Sequence, residues 1–100
     1  MKYLVIATLK TTAQPTAETV TQYKSYVEDK TREGVFDVVY NVVDRLQNVC
    51  IMNAENTEHL HQLLDQVPTR QMADLEVYPL ADFSERMDAL AVKLRQAQKP

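Results

Sequence analysis

The segment Tyr3–Leu9, YLVIATL, constrains the fold more than any other. Its β-branched content reads as a strand. Its two alternating sets, Tyr3, Val5, Ala7, Leu9 and Leu4, Ile6, Thr8, are both apolar in the main. A strand that is apolar on both faces belongs in the middle of a sheet that is covered on both sides. The rest of the chain must therefore supply neighbouring strands and two covering layers.

The neighbours are legible. Thr16 after Pro15 is a helix N-cap, with Glu18 in the first turn where the helix dipole favours an acid. Val20, Tyr23 and Val27 then form an apolar stripe at helical spacing, running to about Arg32. Gly34, the single glycine of the chain, sits where a helix takes a left-handed cap. A phosphate-cradling loop needs several glycines, so that class is excluded. Val35–Val43 reads as a second strand, with Phe36, Val38, Tyr40 and Val42 on one face and Asp37 and Asn41 on the other. A tight turn at Asp44-Arg45 leads to an antiparallel third strand, Leu46–Asn53. Asn56 caps a helix whose stripe is Leu60, Leu63, Leu64 and Val67, ended by Pro68. Met72–Leu80 is the fourth strand. Its Pro79 suits an edge, because proline cannot donate to a sheet ladder. Asp82 with Glu85 opens a last helix with Met87, Leu90, Ala91 and Leu94 on its apolar face and Lys93, Arg95 and Lys99 near its end.

The order is strand, helix, strand, strand, helix, strand, then an extra helix. This predicts an α+β, ferredoxin-like βαββαβ fold with a four-stranded antiparallel sheet. Right-handed crossovers place the first and third strands inside and the second and fourth at the edges. One domain spans 1–100, with residues 1–81 as the core and 82–100 as the C-terminal helix. Two helices cover only one face of such a sheet. The doubly apolar first strand therefore predicts a homodimer or higher oligomer of the dimeric α/β barrel type, with the C-terminal helix folding across that face or swapping onto a neighbour as the other ways to cover it.

Charge and cysteine use narrow the partners. A net charge of -3 with scattered Lys and Arg excludes a basic nucleic-acid footprint. No apolar run is long enough to cross a bilayer, and MKYLVIATLK is a strand rather than a leader. The lone Cys50 rules out an internal disulfide and fits a reducing, cytoplasmic setting.

From Glu58 to Leu80 the chain carries a sharper pattern: Glu58, Leu60, His61, Leu63, Leu64, then Pro68, then Met72, Leu75, Glu76, Val77, Pro79 and Leu80. Together with Gly34, Phe36, Arg45 and Asn48, this pattern resembles the muconolactone Δ-isomerase family, over about Met1 to Phe83. The resemblance implies a small ferredoxin-like protein that assembles with itself. It also implies a shift of a double bond in a small lactone, without metal or cofactor. Such chemistry takes a proton from beside a carbonyl and returns one at another carbon, so it needs a base and donors to the enolate. The family's Arg-Glu pair on the first helix corresponds here to Gln22 and Tyr23. Its tryptophan- and histidine-bearing second strand corresponds to Phe36, Val38 and Tyr40.

The resulting candidates are Tyr23, Tyr40 and Arg45 as catalytic residues and Gln22, Phe36 and Asn48 as substrate contacts. Tyr23 reads first as a core residue with its hydroxyl at the rim and second as a donor in the pocket, and Tyr40 invites the same two readings. Arg45 is readable as a solvated hairpin residue or as a carboxylate clamp. His59 and His61, two apart on a helix, point to opposite flanks and cannot share a metal. Asp74 and Glu76 share one face of an edge strand, where solubility is the first reading, an oligomer contact the second and catalysis the third. Cys50 reads as a small buried hydrophobe. The functional expectation is a cofactor-free isomerase or cyclase acting on a small carbonyl or lactone compound. A ligand-binding or structural oligomer on the same scaffold is the alternative, and a cofactor-free monooxygenase-like protein the weaker one.

Overall fold

β1 (Lys2–Leu9) lies between two antiparallel neighbours, as its apolar faces require. The computed structural model describes residues 1–98. After β1 come α1 (Ala17–Arg32), β2 (Phe36–Val42), β3 (Gln47–Asn53), α2 (Thr57–Asp65), a 3-10 turn at Arg70–Met72, β4 (Ala73–Leu80) and α3 (Phe83–Ala97). The strand order is β2-β3-β1-β4. This is the expected α+β, ferredoxin-like sheet, with β1 and β3 inside and the polar-bearing strands at the edges.

The element ends follow local chemistry. Thr16 caps α1 by accepting from the Thr19 amide at 3.2 Å, while the Thr19 hydroxyl accepts from the Thr16 amide at 2.9 Å. Gly34, at φ +84°, carries the chain out of α1 in the left-handed conformation that glycine tolerates. Asn56 caps α2 by accepting from His59 N–H at 2.8 Å, and Asp82 caps α3 by accepting from Glu85 N–H at 3.0 Å. α2 finishes at Asp65, before Val67 and Pro68. Its last turn tightens, with Gln66 and Val67 N–H donating to the Leu63 and Leu64 carbonyls. Lys99, expected near the end of the last helix, lies outside the described residues.

The core sits between the sheet and the first two helices. Tyr3 and Val5 of β1 pack with Phe36, Met52, Ala54, Leu60 and Leu64, all buried. The Tyr26 hydroxyl donates to the Leu63 carbonyl at 3.2 Å and ties α1 to α2.

β2 departs from simple alternation. Phe36 pairs with Met52, but Val38 pairs with Ile51, so one residue, Asp37, is extra on the β2 side. A bulge of this kind reverses the facing of everything beyond it. Phe36 therefore shares the helix-covered face with Val39 and Asn41, and not with Val38 and Tyr40. The bulge is held by charge. Asp37 pairs with Lys2 and accepts from Asn53 Nδ2 at 2.7 Å, while Asn53 also donates to the Gly34 carbonyl at 3.0 Å. The hydrogen bonds from Lys2 and then Asn53 hold the Asp37 carboxyl below its usual range. The connection to β3 is also longer than an Asp44-Arg45 tight turn, spanning residues 43–46, with Arg45 N–H donating to Val42 O at 3.1 Å.

The other face of the sheet carries Leu4, Ile6, Val49 and Ile51, half-buried, and Val38, Tyr40 and Tyr78, exposed. Asp74 and Glu76 lie on this face too, and Tyr78 donates to Glu76 at 2.6 Å. α3 extends away from the sheet. The described chain measures 63 × 29 × 23 Å, with a radius of gyration of 17.3 Å. A compact chain of this length has a radius of about 13 Å. The α3 stripe of Met87, Leu90 and Leu94 is exposed to solvent.

Candidate active site

The side chains of β1 shrink along its helix-facing row. Tyr3 and Val5 fill the core, whereas Ala7 leaves room. A cavity of about 290 Å³ opens there, between the sheet and the start of α1. Val5, Phe36, Met52 and Leu64 form its buried floor. Pro15, Val20 and Leu46 form its exposed rim. This volume is at the small end of the range for ligand sites, and the lining is mostly apolar, as such sites are.

Its polar groups come from neighbouring strands and from α1. Asn48 on β3 is the partner of Ala7, and Asn41 on β2 is the partner of Asn48. Asn41 Nδ2 donates to Asn48 Oδ1 at 2.8 Å and to the Gln47 carbonyl at 3.2 Å. Asn48 also lies close enough to the Tyr23 hydroxyl to act on its acidity. Burial raises the Tyr23 phenol above its ordinary value, and Asn48 offsets part of that rise. Tyr23 thus holds its proton at neutral pH and can donate it in a hydrogen bond to an oxygen in the cavity. Cys50 lies on the same wall, its thiol pushed up to about 11 by burial. It stays a neutral thiol and is a poor nucleophile.

Arg70 enters from the opposite side, on the 3-10 turn before β4. Arg70 N–H donates to Val67 O at 3.0 Å, and Lys10 N–H to Met72 O at 2.8 Å, which docks this turn against the end of β1. Its Nε is sealed from solvent and has no hydrogen-bond partner. Leaving a buried donor unpaired costs about 1–3 kcal/mol. The sequence reading did not single out Arg70. Its signal was a lone cation in the short link between the Pro68 stop and the last strand.

The six sequence candidates separate. Tyr23, Phe36 and Asn48 line the cavity together. Gln22, next to Tyr23, is on the exposed side of α1. Arg45 is exposed at the hairpin, and Tyr40 projects from the far side of the bulge at 65% exposure. The two tyrosine hydroxyls therefore do not converge. Asn41 takes the position in the cavity that simple alternation assigned to the opposite face. His59 Nδ1 accepts from the Glu55 amide at 3.0 Å and serves the helix start, and His61 is exposed.

The cavity, the sheet order and the α2–β4 pattern can now be set beside known proteins. The family model for muconolactone delta-isomerase matches residues 1–86. The chain belongs to the muconolactone delta-isomerase family. A muconolactone Delta-isomerase from Rhodococcus opacus is 27% identical over 63 residues, covering 63% of this chain and 68% of that protein. A crystal structure of muconolactone isomerase superposes with a TM-score of 0.69 at 24% identity, over 82% of this chain and 90% of that one. A 5-chloro-2-hydroxyhydroquinone dehydrochlorinase from Burkholderia phenoliruptrix, in complex with 2,5-dihydroxybenzoquinone, superposes with a TM-score of 0.70 at 14% identity. That match covers 85% of this chain and 98% of the other, and it shares the fold. Family membership makes this a chain of the isomerase or related small-molecule enzyme kind. Among the described residues no helix is long and apolar enough to cross a membrane, and no cluster of metal-ligating side chains occurs.

The Cys50 environment sets an alkaline signature. The native thiol keeps its proton to about pH 11, while the ordinary value is 9.0. Its contribution to stability is therefore complete below pH 9 and is lost as pH rises toward 11. Urea midpoints measured from pH 8 to 11 will fall for the wild type, and Cys50→Ala will remove part of that fall. Identical slopes for both proteins would contradict the buried-thiol assignment.

Proposed function

We propose that this chain acts on a small carbonyl or lactone compound by proton transfer, as an isomerase or cyclase in type, without a cofactor. The observation that carries the reading is the hydrogen-bonded Asn41–Asn48 pair with Tyr23 in the lining of one mostly apolar cavity. A base removes a proton from the carbon beside the carbonyl, and the C–H electron pair moves into the ring to form an enolate. The Tyr23 hydroxyl donates to the enolate oxygen, where an oriented donor in a dry site is worth most. A proton then returns at the far end of the conjugated system, so the double bond has moved and no atom is gained or lost. Phe36 supplies an apolar wall for the ring. The bound 2,5-dihydroxybenzoquinone of the dehydrochlorinase, a flat oxygenated ring, supports a ligand of this shape.

The base is the open position. No carboxylate or imidazole is among the described residues that line the cavity. The chain in isolation therefore holds the donors of the reaction but not its acceptor. A separate feature of the chain points to assembly. The open sheet face and the α3 stripe are two apolar surfaces on one molecule, and a second copy covers both at once in a self-complementary dimer. That dimer leaves the cavity, on the opposite face of the sheet, without a base. The same observation favours one second reading, a ligand-binding protein that holds such a compound without turnover.

Two measurements test these readings. Proton NMR of muconolactone in heavy water will show ring-proton exchange with the protein present, and Tyr23→Phe will slow it by roughly a hundredfold, the scale of one lost oxyanion donor. Ligand-induced shifts without exchange would leave the binding protein, and neither would sink both. Light scattering after gel filtration will give at least a dimer mass at micromolar concentration, and Leu90→Glu on α3 will lower it with helicity retained. A wild-type monomer mass would overturn the assembly.

A further inference from the structure

Arg70 is the one formally charged side chain among the described residues that line the cavity. Its guanidinium is oddly provided for. The Nε atom is out of reach of water and has no hydrogen-bond partner. The nearest acid, Asp65, stands 3.9 Å from it, beyond hydrogen-bond range. The Asp65 side chain is 75% exposed, so water competes for that carboxylate and the pair is weak. With Nε closed off, the accessible part of this side chain, 38% exposed, is what a ligand in the cavity can meet. The turn that carries it is firmly held, between the Val67 carbonyl and the end of β1.

We infer that Arg70 is a specificity-determining residue that recognises a carboxylate on the substrate or ligand from the side of the cavity opposite Tyr23. A guanidinium meets a carboxylate with two parallel N–H donors, so it fixes orientation as well as charge. The cavity then has two distinct polar ends. Asn41, Asn48 and Tyr23 approach from the β2–β3 side, with neutral donors suited to a carbonyl or enolate oxygen. Arg70 approaches from the β4 side, with a charge suited to an anion. A ring bearing a carboxylate arm is bound in one orientation, and its carbonyl is delivered to the Tyr23 end. The inference rests on the reading of this cavity as a small-molecule site.

Benzoate and benzamide test it, since they share a ring and differ in charge. Both are titrated by NMR into the full chain as wild type, Arg70→Gln and Arg70→Lys. Wild type will bind benzoate roughly tenfold to a hundredfold more tightly than benzamide, the scale of a charge-assisted bond. Arg70→Gln will bring the two to parity by weakening benzoate alone, and Arg70→Lys will keep part of the preference. A merely structural arginine would weaken both probes together when replaced by Gln, and that result overturns the proposal. Equal affinity of wild type for both probes overturns it while leaving the small-molecule cavity standing. Binding of neither overturns the cavity reading and this proposal together. Should Arg70→Gln fail to fold, Arg70→Lys decides in its place: an undiminished preference for benzoate overturns the bidentate contact.

Discussion

The structure turns on how the side chains of β1 change size along the strand. Tyr3 and Val5 fill the space beneath α2, where they meet Leu60 and Leu64. Two residues on, Ala7 cannot fill it, and the layer between the sheet and α1 opens into a cavity. Core and site thus share one strand and one face. The stable half of the domain holds the other half open, and the site is positioned by strand register rather than by mobile loops. Register also sets its chemistry. Ala7, Asn48 and Asn41 lie side by side across three strands, so the small residue and the two amides are fixed relative to one another.

That register depends on the Asp37 bulge. Without the extra residue, Asn41 would point to the open face and Tyr40 into the cavity. The Lys2–Asp37–Asn53 cluster on the sheet's outer side therefore decides which polar groups face the cavity on its inner side. The outer side poses its own problem. Leu4, Ile6, Val49 and Ile51 form an apolar centre there, bordered by Tyr40, Tyr78, Asp74 and Glu76. This surface and the projecting α3 have matching needs. A second copy, as proposed, would meet both.

Much of this was legible in the chain. The double apolar face of Tyr3–Leu9 fixed β1 in the centre, and Gly34, Asn56 and Pro68 marked the element boundaries to within a few residues. The burial of Tyr23 beside the sheet followed from helical spacing. What stayed hidden was non-local. Period-two reading has no term for a bulge, and the residue that creates this one is stabilised by partners 35 and 16 positions away in the chain. Tyr40 was accordingly expected at the site and Asn41 was not. Arg70 was hidden for a related reason. It sits on a short turn with no periodic pattern, and only the docking of that turn against β1 brings it to the cavity. The acids of the last strand were the opposite case, since alternation alone put Asp74 and Glu76 on the face away from the core.

The central claim is that the space above Ala7 is the ligand site of this chain. Amide chemical shifts of the labelled protein, followed during titration with muconolactone, test it most directly. The account predicts that the largest changes fall on Ala7, Tyr23, Asn41, Asn48 and Arg70, with those of the outer residues Ile6, Val49 and Ile51 small. Changes centred on the outer face, with the cavity residues silent, would contradict it.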